Sequence, residues 1–201
     1  MKEDIVKGVP APLTAASPEW SSIPAVELNV RWEDYCPSPY TTTARLVHSP
    51  EGLTLRMEST EWPLRAERIV CNEQICEDSC MEFFLTPNLD DKNYINFEIN
   101  PFGVTHIGLG ESRYNRTLLD IAGEGLKIET QITFERGWAA TMFVPYTFLD
   151  KYFTSHGMAM RANFYKCGDL TVCKHFQVWN PIELQKPDYH RPEFFGSLVL
   201  G

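Results

Sequence analysis

Positive charge is scarce in this 201-residue sequence, where 18 Lys and Arg stand against 27 Asp and Glu for a formal net charge of −9. Affinity for a phosphate backbone comes from cationic side chains, so this balance argues against nucleic acid as a partner. Long apolar runs are missing too: nothing approaches the ~20 residues a membrane-spanning helix needs, and no membrane partner is expected. The opening residues carry Glu3 and Asp4 where an export signal requires an unbroken apolar segment, so a cytoplasmic chain is the expectation. There is no Cys-x-x-Cys. The six cysteines, Cys36, Cys71, Cys76, Cys80, Cys167 and Cys173, lie at spacings outside those of structural zinc sites and read as thiols rather than disulfides. No cofactor and no metal are expected from these patterns. Calcium comes into question only at the acidic turn 87–93, and that turn lacks the regular oxygen-ligand spacing and Gly of an EF-hand loop, which favours a hairpin turn.

What the sequence has is apolar and aromatic surface, 43% and 12% of residues respectively, enough for the core of one globular domain. Pro10, Pro12, Pro18 and Pro24 mark residues 1–24 as an extended, proline-rich lead-in, leaving 25–201 as the domain. Eleven short runs with period-two alternation follow: 25–30, 43–48, 53–58, 79–85, 94–100, 105–109, 126–134, 138–144, 158–165, 174–179 and 197–200. A single helix is predicted over 145–153, with Pro145 in its first turn and Tyr146, Leu149 and Phe153 on one face. Many short strands and one short helix predict an all-β fold, an antiparallel β-sandwich of jelly-roll type.

Alternation assigns each strand a core side and an opposite side. Ile95, Phe97 and Ile99 form an apolar row, with Tyr94, Asn96, Glu98 and Asn100 opposite. Met81, Phe83 and Leu85 oppose Glu82, and Ala162 and Phe164 oppose Arg161, Asn163 and Tyr165. By the same pattern Phe176 and Val178 point inward and His175, Gln177 and Trp179 outward. A face carrying a carboxylate, amides, a guanidinium and large rings suits a sugar, which presents hydroxyl edges and apolar C–H faces. It equally suits a structural polar layer beneath a covering loop.

The run Asp78-Ser79-Cys80-Met81-Glu82-Phe83-Phe84-Leu85-Thr86-Pro87, then Tyr94-Ile95-Asn96-Phe97-Glu98-Ile99-Asn100-Pro101-Phe102-Gly103, resembles the central signature of family 9 carbohydrate-binding modules. Trp138 ahead of Val144-Pro145-Tyr146, Arg161-Ala162-Asn163-Phe164-Tyr165, Trp179-Asn180-Pro181 and the closing Pro192-Glu193-Phe194-Phe195-Gly196-Ser197-Leu198 are similar to its later landmarks. The resemblance implies non-catalytic binding of a mono- or oligosaccharide end on the concave sheet face. It also implies roles: Glu82 receives sugar hydroxyls, Trp179 stacks on the ring, and Arg113, Asn163, Tyr165 and His190 are polar partners. Where xylanase-attached members carry a second stacking tryptophan, this sequence has Cys76, so Trp62 or Tyr114 would have to supply the second wall.

Two other readings stay open. Glu82 with Glu98 or Glu193 is a carboxylate pair of the kind a glycoside hydrolase, or an accessory domain in carbohydrate catabolism, would use. A haem-binding sandwich with Met and His axial ligands is the third, although Met81 lies on the core side of its strand.

Overall fold

The computed structural model describes residues 1–30, 32 and 39–201; Cys36, counted above among the thiols, lies outside them. Thirteen strands run in chain order: β1 (Glu3–Gly8), β2 (Val26–Val30), β3 (Thr42–Ser49), β4 (Gly52–Ser59), β5 (Cys80–Thr86), β6 (Tyr94–Ile99), β7 (Thr105–Gly110), β8 (Thr117–Leu118), β9 (Lys127–Thr133), β10 (Gly137–Pro145), β11 (Ala159–Gly168), β12 (His175–Val178) and β13 (Gly196–Leu200). Each of the eleven predicted runs contains a strand. The two additional strands are β8, only two residues long, and β1, whose pairing comes from distant chain rather than from any pattern of its own.

One layer has the order β8-β7-β6-β5-β11-β12, with β13 also paired to β11, and the other β2-β3-β4-β10-β9. β2 joins the layers by pairing with both β12 and β3. β1 joins them again, running parallel to β13 through its first half and parallel to β3 at Lys7 and Gly8. The result is a sandwich closed at one end into a small barrel. The segment expected as a lead-in is therefore partly sheet, and further along it Trp20 is buried with Leu13, Ile23 and Val47.

The main core lies between the layers. Met81, Phe83 and Leu85 of β5 and Ile95, Phe97 and Ile99 of β6 meet Leu53, Leu55 and Met57 of β4 and Ala140, Met142 and Val144 of β10. Phe83 stacks between Phe97 and Phe164, at centroid distances of 6.0 and 5.2 Å. Each such ring, removed from water, contributes roughly 1.5–3 kcal/mol. Where β9 turns into β10 the backbone approach is very close: Gly137 has φ 110°, and a Cβ there would lie 1.9 Å from the Ser59 carbonyl oxygen, so only glycine fits.

The predicted helix is α1 (Tyr146–Leu149), continued by hydrogen-bonded turns in which Tyr152 N–H and Phe153 N–H both bond the Leu149 carbonyl at 3.0 Å. Tyr146, Leu149 and Phe153 are all buried, as their spacing requires. The turn 87–93 is a hairpin loop tied by its own side chains, with Asn88 Oδ1 accepting from Asp90 N–H and Asp91 Oδ1 from Asn93 N–H.

A second apolar cluster lies on the outer face of the first layer. Phe84, Tyr94, Tyr165, Cys167, Phe176 and Val178 project from its strands and are covered by Trp32, Ile182, Tyr189 and Phe195. The chain after β12 thus lies across the sheet, and Trp32 Nε1 holds it by donating to the Leu184 carbonyl at 2.7 Å.

A recess over the outer face of the first layer

Signature residues Asp78 and Ser79 turn out to be clamps. Buried Asp78 accepts from Glu67 N–H, Arg68 N–H and Asn100 Nδ2, while Ser79 Oγ accepts from Arg65 N–H and donates to Glu61. They fix the chain ahead of β5, so that Glu82 is set on the outer face with known direction.

A cavity of about 370 Å³ opens there, in the range of small-ligand sites. Glu82 from β5, Glu98 from β6 and Cys167 from β11 form its floor; Cys76, Asp169, Lys174 and Phe176 line one side, and the 186–190 segment with Arg113 lines the other. Glu82 and Glu98 are direct cross-strand partners. Burial raises the carboxyl of Glu82 well above its ordinary range, and the facing Glu98 pushes it further the same way; burial raises Glu98 as well. Both groups thus keep a proton to higher pH than a solvated carboxyl, and a protonated carboxyl can donate as well as accept. The Cys167 thiol donates to Glu82 Oε1 at 2.9 Å, and Asn96 Nδ2 donates to Glu98 Oε1 at 3.0 Å.

Above the floor, Arg113 pairs with Asp188 at 2.7 Å, and the same carboxylate accepts from His190 N–H. His190 Nδ1 is 2.8 Å from the Tyr94 hydroxyl. Burial, with Arg116 and Arg113 nearby, lowers the His190 imidazole to about 3, so it is neutral at physiological pH. Tyr189 stacks on Tyr165 at 4.1 Å and 8° and lines the cavity.

Of the residues named from the sequence, Glu82, Arg113 and His190 line this one cavity, and Glu98, Tyr189 and Asp188 line it with them. Cys76, at the position noted for its missing tryptophan, lines the same recess. The remaining expectations are corrected. Trp179 is 2% exposed and packs in the inter-layer core, against Phe164 at 5.4 Å and close over Gly196. Its strand faces the opposite way from the alternation argument: Phe176 and Val178 lie on the outer face, and His175, Gln177 and Trp179 on the inner one. The reason is that both faces of β12 are buried, so polarity does not mark the solvent side.

Asn163 has the predicted direction but no capacity left for a ligand. Its Oδ1 accepts from Phe164 N–H and Asn180 N–H, and its Nδ2 donates to the Asn180 and Phe194 carbonyls at 2.9 and 3.5 Å. Tyr165 is fully buried beneath Tyr189, with its hydroxyl donated to the Tyr189 carbonyl. Trp62 is half-buried against Phe134, away from the recess, and Tyr114 is 74% exposed in the loop that carries Arg113 without lining the cavity. Glu193 is exposed and paired with Arg191, so of the two proposed carboxylate pairs only Glu82 with Glu98 is brought together. Met81 is in the main core, as its parity required.

A sandwich with a ligand-sized recess built from carboxyl, guanidinium, imidazole and aromatic groups defines a small-ligand binding module. Its family follows from the sequence as a whole: the chain belongs to carbohydrate-binding family 9, whose model matches residues 8–200, and the domains of that family are non-catalytic binding modules. A protein from Bacteroides uniformis proposed to bind carbohydrate is 29% identical, with TM-score 0.87 over 100% of this chain and 99% of that one. Two structures of a family 9 module from Caldicellulosiruptor kristjanssonii share the fold. One, in complex with cellotriose, is 13% identical with TM-score 0.69 over 99% of this chain and 93% of that one. The other, in complex with glucose, is 12% identical with TM-score 0.72 over 100% and 96%. No curated protein matches the chain.

Proposed function

We propose that this protein holds the end of a mono- or oligosaccharide in the recess over Glu82 and Glu98, without chemistry. The observation that carries the reading is the composition of one cavity. Two buried carboxyls, the Arg113–Asp188 pair and neutral His190 can hydrogen-bond the hydroxyls of a sugar, while Tyr189 and Phe176 supply apolar ring surface for its C–H groups. The family and the glucose and cellotriose complexes of its structural neighbours support this choice of ligand class. With Trp179 committed to the core, stacking falls to Tyr189 and Phe176. Cys76 leaves space on the cavity side where a larger ring would narrow it.

Calorimetric titration with a panel including glucose, cellobiose and cellotriose tests the proposal. Saturable heat is expected for at least one sugar, without release of reducing ends. Arg113→Ala should weaken binding about 10- to 100-fold, as loss of a hydrogen bond to a charged group does. Absence of heat across the panel overturns the reading, and steady release of reducing sugar that Glu82→Gln abolishes would replace it with hydrolysis.

A further inference from the structure

Glu82 and Cys167 form the floor of the recess, and Cys80 lies beside them just beneath it. Cys80 and Glu82 are two residues apart on β5, so both point to the outer face, and Cys167 is the direct register partner of Cys80 across the β5–β11 ladder. Their two sulfurs and a carboxylate oxygen all lie within 4.8 Å of one another. All three residues are buried, Cys80 completely. Among the described residues no other group of three His, Cys, Asp or Glu side chains is drawn together in this way.

We propose that Cys80, Glu82 and Cys167 form a binding site for a thiophilic divalent cation, Zn²⁺ in the first instance. Zinc takes thiolate sulfur at about 2.3 Å and carboxylate oxygen at about 2.0–2.2 Å, which sets tetrahedral donors about 3.5–3.8 Å apart, inside the 4.8 Å that encloses the three atoms. The Cys167 sulfur and Glu82 Oε1, now 2.9 Å apart, have to separate slightly to admit the ion, a small side-chain rotation. Soft sulfur donors select such a cation over calcium or magnesium.

Glu82 and Cys167 also line the cavity, so a cation held by the three side chains turns its open side toward solvent. The fourth position falls to a water or to Cys76, which lines the same cavity and whose carbonyl lies 3.7 Å from the Cys167 sulfur. On binding, each thiol gives its proton to solvent and becomes the thiolate ligand, and Glu82 gives up its own where it carries one. Spacing along the chain cannot reveal such a site, because Cys80 and Cys167 meet only through strand register.

The test is titration of the fully reduced protein with Co²⁺, followed by displacement with Zn²⁺. One equivalent of Co²⁺ should produce a near-ultraviolet thiolate-to-metal charge-transfer band with tetrahedral visible bands, bleached by Zn²⁺. Cys80→Ser and Cys167→Ser should each lose the charge-transfer band or bind at least tenfold more weakly, while exposed Cys71→Ser keeps it. Should a serine variant fail to fold, Glu82→Gln serves, with weaker metal binding expected. The proposal is overturned if the reduced wild-type protein gives no charge-transfer band, or if Cys167→Ser retains wild-type affinity. The saccharide reading stands or falls separately: Cys80 does not line the cavity, so Cys80→Ser should weaken metal uptake at least tenfold and leave sugar binding intact.

Discussion

Replacing Lys166 by Met should cost about 3–5 kcal/mol at pH 7.5, the toll of stranding a buried partner charge. Lys166, Glu61 and His175 all lie on the inner side of the sandwich with no exposure. The ammonium has three acceptors for its three protons: Glu61 Oε2 at 2.6 Å, His175 Nε2 at 2.8 Å and the Cys167 carbonyl at 2.8 Å. His175 Nδ1 faces the Cys173 carbonyl at 2.7 Å and must donate to it, which leaves Nε2 as an acceptor and the ring neutral. Burial first, then Lys166, lowers this imidazole to about 4. Methionine deletes the positive charge and, among the described residues, leaves the Glu61 carboxylate hydrogen-bonded by Ser79 Oγ and Trp138 Nε1.

The remaining imidazole, 3.9 Å from Glu61, then becomes the natural proton acceptor, and its pKa should rise above the ordinary 6.5. The sign follows. In the wild type a depressed His175 contributes stability above pH 6.5 that is lost as pH falls toward 4; in the variant a raised His175 contributes below 6.5 and loses it as pH rises. The deficit of the variant should therefore be larger at pH 8 than at pH 5.5. Urea denaturation followed by circular dichroism measures it, and at this chain length 3–5 kcal/mol corresponds to a melting shift of about 6–20 °C. The double variant Glu61→Leu/Lys166→Met should recover most of the loss, since a packed apolar pair replaces a paired charge at little net cost. A loss under ~1 kcal/mol, or one that grows on acidification, would refute the reasoning.

Two other outcomes follow from the site. Trp179→Ala should destabilise by about 3–5 kcal/mol, whereas Trp179→Phe should leave affinity for the bound sugar within a factor of about three; a folded Trp179→Phe protein that no longer binds would restore the indole to the ligand site. Glu98→Gln should be more stable than wild type at pH 8 and equal to it near pH 4.5, because a carboxyl raised by folding contributes stability that is lost as pH climbs through its folded pKa. Denaturation at the two pH values decides this, and a Glu98→Gln protein that is less stable at pH 8 would count against it.

The strands were legible because runs such as 53–58, 79–85, 94–100 and 138–144 bury a clear alternating row in the main core, and the signature around Asp78 and Glu82 marked the layer that carries the recess. Parity failed at β12 for a physical reason. Phe176 and Val178 face outward into the cluster capped by Tyr189, while the inner side at that point holds Lys166, His175 and Glu61, so the usual link between apolar and inward is inverted. Asn163 and Tyr165 pointed the predicted way, yet a covering segment, which alternation cannot register, had already used their hydrogen bonds. Extending the same β11 row by one step, from Tyr165 to Cys167, would have found the floor residue; Tyr189 carried no signal beyond its place beside His190.

The parallel ladder between the first and last strands has a mechanical consequence. Its four register pairs, from Glu3 with Ser197 to Val6 with Leu200, run in the same direction. Tension applied between the two chain ends would pull those strands along their length in opposite senses, so the bonds would resist together in shear instead of opening one after another like a zipper. A module tethered at both ends would then fail at high force, with the recess still formed until that ladder gives way.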